Sequence, residues 1–294
     1  MTTVVKPALA AGRAVEILDF FAAHPTEAFT LSELSKSLDI NLASALSVLQ
    51  ALTDAGYLSR HPRRKTYALG PSLVALGSAA LTRHRVVDLA RGEMRVLARQ
   101  LSTEVVASIA IGDHITVLAT QARPGRRSDS PRVGQRLPLI PPIGQAFMAW
   151  GPASAVAAWR SRLGAVAWRD HLDRALEVVR ARGYSVSVDS ETRVRLGEAV
   201  KQLADRPKDR ALQDAIAELV TELAGNYELL DIDDQQTYAV STIVAPVFGP
   251  SGEVVLGLTL NISGPLRGDQ VVDHADRLTQ VTQALTTATG GFAA

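Results

Sequence analysis

Residues 30–69, TLSELSKSLDINLASALSVLQALTDAGYLSRHPRRKTYAL, decide the fold. Thr30 and Glu33 have the spacing of a capping box: the hydroxyl takes the Glu33 N–H, and the carboxylate returns to the Thr30 N–H. Leu31, Leu34 and Leu38 make one apolar stripe. Asp39-Ile40-Asn41 breaks that helix, and Asn41 caps the next. The apolar positions of this second helix are Leu42, Ala45, Leu46, Leu49 and Leu52, and Gly56 ends it. Two short helices across a tight turn are a helix-turn-helix. A strand pair follows, 57–59 and 66–69, with the basic tip His61-Pro62-Arg63-Arg64-Lys65. The whole reads as a winged helix. Such a helix fits the major groove with its first residues at base edges. Cations on a hairpin reach phosphates or the minor groove. A helix pair alone reads equally as a small subdomain with a solvated turn. Capping, spacing, Gly56 and the basic hairpin, in that order, favour DNA binding.

Working outward, Ala10 to His24 carries Ala14, Ile17, Leu18, Phe21 and Ala22 at helical spacing, stopped by Pro25. Arg13 near its start is a candidate phosphate contact, with a solvated arginine as the alternative. After the wing, Gly70-Pro71 resets the chain and Ser72 caps a linker helix over 71–84. A second helix runs from Val86 to Leu101. Strands then take over: 105–111, a Gly112-Asp113 turn and 115–122 form a hairpin. Arg123 to Pro131 is a polar loop, solvated or anion-binding. Arg132 to Leu139 reads as a strand, and Pro141-Pro142 precede a helix at about 144–160, whose N-terminus is either an anion site or simply a proline-started end. Further helix is expected over 171–182 and, in two pieces broken at Arg206-Pro207, over 189–226. The last strands, Thr237 to Phe248 and Glu253 to Ile262, are joined by Gly249-Pro250-Ser251-Gly252. A helix from about Asp269 to Thr287 closes the chain.

The 294 residues suffice for two domains. Net charge is only +1. Lys6, Arg13, Lys36, Arg60, Arg63, Arg64 and Lys65 nearly balance Glu16, Asp19, Glu27, Glu33, Asp39 and Asp54, so DNA affinity has to come from clustering at 60–65. With no cysteine the chain forms no disulfide or thiolate metal site, and a cytoplasmic protein is expected. No stretch reads as a membrane span or signal peptide. Enzyme constellations are missing: no GxSxG, no Walker loop and no Rossmann fingerprint. The six histidines lack metal spacing. Asp231, Asp233 and Asp234 lack the rest of a calcium loop. No cofactor and no catalytic residue is expected, and the second half reads as a binding domain.

Several pieces carry a family resemblance: GRAVEILDFFA (12–22), AGYLSR (55–60), TYALGPSLVALGSAAL (66–81), VGQRLPL (133–139), GQAFMAW (144–150), VRARGYSV (179–186), IVAPVF (243–248) and ISGP (262–265). In this order and spacing the chain resembles the IclR family of bacterial transcription regulators. The resemblance implies an α+β protein: an N-terminal winged helix-turn-helix over 1–70, a linker helix over 71–84, and a GAF-like effector-binding domain with an antiparallel sheet over 85–294. It implies dimers, or dimers of dimers, on palindromic double-stranded DNA and a small organic acid or aromatic effector. Matched residue by residue, the DNA contacts would be Asn41, Leu42, Ala43, Ser44 and Ser47 on the recognition helix, beside Arg60, Arg63, Arg64 and Lys65. The effector contacts would be Leu137, Leu139, Ile143, Gly144, Ser187, Thr242, Asn261 and Ser263.

Three departures from the family pattern stand out. Family recognition helices begin with Pro, a basic residue, Ser and Thr; here the run is Asn41-Leu42-Ala43-Ser44, and Leu46-Ser47 replaces a His-Arg pair. No arginine remains on this helix for guanine readout. IPPIGQA (140–146) replaces a polar, His-containing run ending GKA, which points to a more apolar ligand or to a loop packed in the core. Residues 189–235 are inserted, as a lid, a subunit interface or a peripheral hairpin on the effector domain. The alternative function is a ligand-binding or interaction module that no longer reads DNA.

Overall fold

The computed structural model describes residues 8–81, 85–122, 132–162, 169–223 and 227–293. Its first elements are α1 (Leu9–Ala23), β1 (Phe29–Thr30), α2 (Leu31–Ser37), α3 (Leu42–Asp54), β2 (Leu58–Arg60) and β3 (Thr66–Leu69). The expected capping box is formed: Glu33 N donates to Thr30 Oγ1 at 3.3 Å, and Thr30 N to Glu33 Oε2 at 2.7 Å. Asn41 Oδ1 caps α3 by accepting from Ser44 N at 2.9 Å. Gly56 leaves α3 at φ 73°, a left-handed conformation that glycine adopts without a Cβ clash. A Cβ there would stand 2.5 Å from Ser72 Oγ. The strand β1 is an addition to the sequence reading. It pairs with β3 to complete a three-stranded sheet ordered β1-β3-β2.

The apolar positions of α3 divide into a buried and an exposed set. Of the residues given to the stripe of α3, Ala45, Leu49 and Leu52 are buried, together with Val48, against Ile17, Phe21, Leu34, Leu38 and Leu58. Leu42 and Leu46 are 53% and 47% exposed. The helix has more apolar residues than its buried arc accommodates, and these two lie on the shoulder of that arc.

The helices α4 (Ser72–Leu81) and α5 (Arg85–Gln100) lead into a hairpin of β4 (Glu104–Ile111) and β5 (His114–Gln121). The expected strand over 132–139 shrinks to β6 (Arg136–Pro138), because Gly134 turns the chain at φ 85°. The expected helix over 144–160 is two: a single turn, α6 (Gln145–Met148), and α7 (Ala153–Ser161), separated at Gly151-Pro152. So short a helix offers no N-terminal anion site. The loop 123–131, read as an anion-binding candidate, lies outside the described residues. Next come α8 (Arg169–Arg182), β7 (Ser185–Val188), α9 (Glu191–Asp205), α10 (Arg210–Leu223), β8 (Thr237–Tyr238), β9 (Val240–Phe248), β10 (Val254–Asn261), β11 (Leu266–Arg267) and α11 (Gly268–Ala288). A small pair of β8 with β11, absent from the sequence reading, interrupts the long strand expected from Thr237.

Six strands form one antiparallel sheet ordered β6-β5-β4-β10-β9-β7. Its first face holds the rung Val186, Ile243, Leu260 and Val105, packed with Met94, Leu97, Val271 and Leu278 from α5 and α11. The next rung, Ser187, Thr242, Asn261 and Glu104, projects from the second face, because side chains alternate along a strand. That face is covered by α6, which packs on β9 and β10. Phe147 lies so close over Gly257 that a Cβ at 257 would meet its Cζ at 2.7 Å.

The chain divides into two compact units, Met1–Arg83 with Ala199–Asp214, and His84–Glu198 with Ala215–Ala294. The middle of the inserted α9–α10 segment thus belongs to the first unit, whereas the sequence reading kept all of it in the second domain. Within the first unit, His24 Nε2 stands 2.7 Å from Asp205 Oδ1, and Lys208 Nζ 3.1 Å from Glu16 Oε2.

Candidate nucleic-acid interface and effector pocket

The wing is a short hairpin whose turn is built by His61. Its Nδ1 accepts from the backbone N–H groups of Arg63 and Arg64 at 3.3 and 3.1 Å. His61 N donates to Thr66 O at 2.8 Å, and Lys65 adopts φ 55° to close the turn. The sequence reading placed His61 in the basic tip without seeing this role; a ring acceptor two and three residues before the turn amides was the available signal. Arg60, Arg63, Arg64 and Lys65 are all exposed. The Arg60 guanidinium lies 5.7 Å from the Tyr67 ring centroid, a cation–π contact that holds its stem against the hairpin. The strand β2 packs on α3.

Along α3, Asn41, Leu42, Ala43 and Ser47 are exposed and Ser44 is half-buried. Arg13 is half-buried on α1. The exposed α3 residues Leu46, Gln50, Ala51 and Asp54 were not among the expected contacts. Counting turns from Leu42 reaches Leu46, Gln50 and Asp54, at i+4, i+8 and i+12.

The effector candidates fall into two groups. Ser187, Thr242 and Asn261 are neighbours on one rung of the second sheet face, and Ser187 and Thr242 are buried. The other group precedes α6. Leu139 is buried against Gly144, whose φ of 95° favours glycine. Any Cβ at 144 would also collide with Leu139 Cδ1. Backbone carbonyls fix this loop: Ile143 O accepts from Trp159 Nε1 at 3.0 Å, and Leu139 O from Arg162 Nη1 at 2.6 Å. Leu137 sits on the edge strand β6 opposite Ile115. Ser263 lies beyond the end of β10 and is exposed, so it is not gathered with the buried rung.

Gln145 was not among the expected site residues. It is 2% exposed, on the helix that covers the second face, and its Oε1 has no hydrogen-bond partner among the described residues. A buried polar atom without a partner costs about 1–3 kcal/mol unless a ligand or water satisfies it. A polar residue within the apolar run 139–150 was its sequence signal.

At the β7 edge, Glu228 is buried and accepts from Ser185 Oγ at 2.6 Å, from Val186 N at 2.7 Å and from Arg182. Burial pushes its carboxyl up to about 7, against the pull of Arg182 and the two hydrogen bonds. This cluster anchors the chain that returns from the insertion. Among the described residues no group of His, Cys, Asp and Glu side chains is placed to hold a metal ion, and no helix is long and apolar enough to cross a membrane.

The IclR helix-turn-helix domain matches residues 10–62, from α1 to the start of the wing turn. The HTH-type transcriptional regulator Rv1719 of Mycobacterium tuberculosis is 30% identical over 184 residues, which span 61% of this chain and 70% of that protein. The chain belongs to the IclR family of transcriptional regulators. Solved structures agree in fold. An IclR transcriptional regulator from Alicyclobacillus acidocaldarius superposes with a TM-score of 0.68 at 20% identity, covering 97% of this chain and 100% of the other. An IclR homologue from Microbacterium hydrocarbonoxydans, complexed with 4-hydroxybenzoate, gives 0.63 at 16% identity, covering 95% and 98%. The IclR fold, with an N-terminal helix-turn-helix and a mixed helical and antiparallel-sheet remainder, is thus the one expected from the sequence, and the relatives matched are regulators rather than enzymes.

Proposed function

We propose that this IclR-family chain is a cytoplasmic, ligand-responsive regulator that binds a palindromic operator as a dimer or a dimer of dimers, one winged helix per half-site. The observation that carries the DNA-binding reading is the wing: four exposed cations on a hairpin whose turn is fixed by His61, beside a capped helix. Oligomerisation is supported by α4, an apolar helix exposed from Val74 to Ala80, with Val74 and Leu76 at 72% and 55%. The effector would bind on the second sheet face, between Ser187, Thr242 and Asn261 and the loop residues Leu137, Leu139, Ile143 and Gly144, with Ser263 at its rim. Apolar side chains beside a hydroxyl-bearing rung suit a small, relatively apolar organic acid or an aromatic metabolite. The 4-hydroxybenzoate carried by the Microbacterium relative supports that class. The ligand would act by its differential affinity for two arrangements of the DNA-binding heads. No catalytic step and no cofactor enters this reading.

A gel-shift of the chain against its own upstream region, with competitor DNA, tests it. Retention is expected at low and moderate salt. Replacing Arg63, Arg64 and Lys65 together by alanine should weaken binding to all sequences and reduce the log–log salt slope by about 0.9 for each phosphate no longer neutralised. Unchanged binding would dismiss the wing. One observation favours a second reading, a module that no longer binds DNA: no Lys or Arg stands on α3. Stabilisation by an aromatic acid with no DNA retained at low salt would select it.

A further inference from the structure

The exposed face of α3 is chemically unusual for a helix beside a basic wing. Leu42, Leu46 and Gln50 follow one another at four-residue intervals, flanked by Ala43 and Ser47, and all five are exposed. No cation stands among them, and the one acid, Asp54, lies at the far end. Gln50 is held in place: its Nε2 donates to Asp54 Oδ1 at 2.8 Å. That leaves its Oε1 and the second amide hydrogen pointing to other partners. At the N-terminus Asn41 Oδ1 is taken by its cap to Ser44, which leaves its Nδ2 as a donor.

We infer that this face reads A·T base pairs, with Leu42 and Leu46 against thymine C5-methyl groups and Gln50 across the major-groove edge of an adenine. The inference rests on the DNA-binding reading above and specifies what that surface recognises. The chemistry of the base edges selects among the four pairs. Guanine presents two acceptors, O6 and N7, which are matched by Arg or Lys, and α3 has neither. Adenine presents a donor and an acceptor, N6–H and N7, which the two ends of an amide match. Thymine alone presents a methyl group, which rewards an exposed leucine. Charge is complementary at the level of the unit: affinity comes from Arg60, Arg63, Arg64 and Lys65, so the helix needs no cation of its own. Two leucines left half in solvent by a domain with a full core gain a partner in this arrangement, without any added bond to phosphate.

The test uses the full chain and duplexes recovered from a random pool. Recovered half-sites should centre on A·T pairs. Replacing thymine by uracil in a recovered duplex removes the methyl and keeps every hydrogen bond. It should raise Kd about fourfold for each contacted methyl. Leu46→Ala should abolish that penalty at one position while leaving the salt slope unchanged. Arg63→Ala with Arg64→Ala should do the reverse, lowering affinity and slope while keeping the thymine preference. Half-sites fixed as G·C under α3, equal binding of thymine and uracil duplexes, or a Leu46→Ala variant that changes only the oligomeric state would overturn the inference while the DNA-binding reading stands. Duplexes not retained at all, at low salt, would overturn both.

Discussion

A surface cap in the first compact unit and a buried cluster in the second show two ways of anchoring a polar group. In the first, Thr30 with Glu33 and Asn41 with Ser44 are three residues apart and lie at the surface. In the second, Glu228 meets Arg182, Ser185 and Val186 across more than forty residues, and the carboxylate is buried. Exposed local caps exchange one hydrated state for another and are worth about 1 kcal/mol. Buried charges have no water to return to, so each depends on its partner. The helix-turn-helix unit thus sets short-range surface caps beside the long-range His24–Asp205 bond, whereas the sheet unit holds a buried long-range cluster at Glu228.

That contrast is tested first by Glu228→Ala. It strips Arg182 of its partner where the guanidinium is mostly buried, and should cost about 3–5 kcal/mol in denaturant unfolding. A loss below about 1 kcal/mol would place this cluster on the same footing as the surface caps. Glu228→Gln sharpens the comparison through pH. The native carboxyl keeps its proton up to about 7, while the unfolded one releases it near 4.5, so between these values the native state binds more protons. Wild-type stability should therefore fall relative to the glutamine variant as pH rises from 4.5 to 7, by no more than about 3 kcal/mol in all, and run parallel above 7. Parallel curves throughout would mean an ordinary carboxylate.

On the other side, Thr30→Ala should cost about 1 kcal/mol, read as a shifted unfolding midpoint with an unchanged m value. The smallest effect is expected from Asp205→Ala. Its carboxylate bonds His24 Nε2 from an exposed position, so the loss should stay below about 1 kcal/mol. Faster amide exchange confined to α1 and the 199–214 segment would be its signature; uniform protection would show that this bond does not hold the segment.

The legible parts were those in which cause and effect lie within a turn or two. Capping, the stop at Gly56, the hairpin at Gly249–Gly252 and the helix break at Pro207 all follow from local backbone chemistry. The helix expected over 144–160 divides in two because Gly151-Pro152 interrupts an apolar run that otherwise reads as continuous. Leu42 and Leu46 continue the apolar spacing of α3 yet stay exposed: periodicity shows that residues share a side of a helix, but how wide an arc is covered depends on what packs there. Of the candidate effector residues, Thr242 and Asn261 were gathered with Ser187 by strand pairing, whereas Ser263 ran past the end of the sheet.

The sequence by itself determined the winged helix, its basic tip, the strand-rich second half and the helical pair on either side of Arg206-Pro207, since each is encoded by spacing, caps and turn residues within a short window. Only the tertiary structure decided the rest. It set the strand order that aligns Ser187, Thr242 and Asn261, and the burial that raises Glu228. It placed the middle of the insertion beside His24 and left two leucines of α3 in solvent. Those outcomes depend on contacts between residues tens to hundreds apart, where burial and desolvation, not local propensity, set the energy.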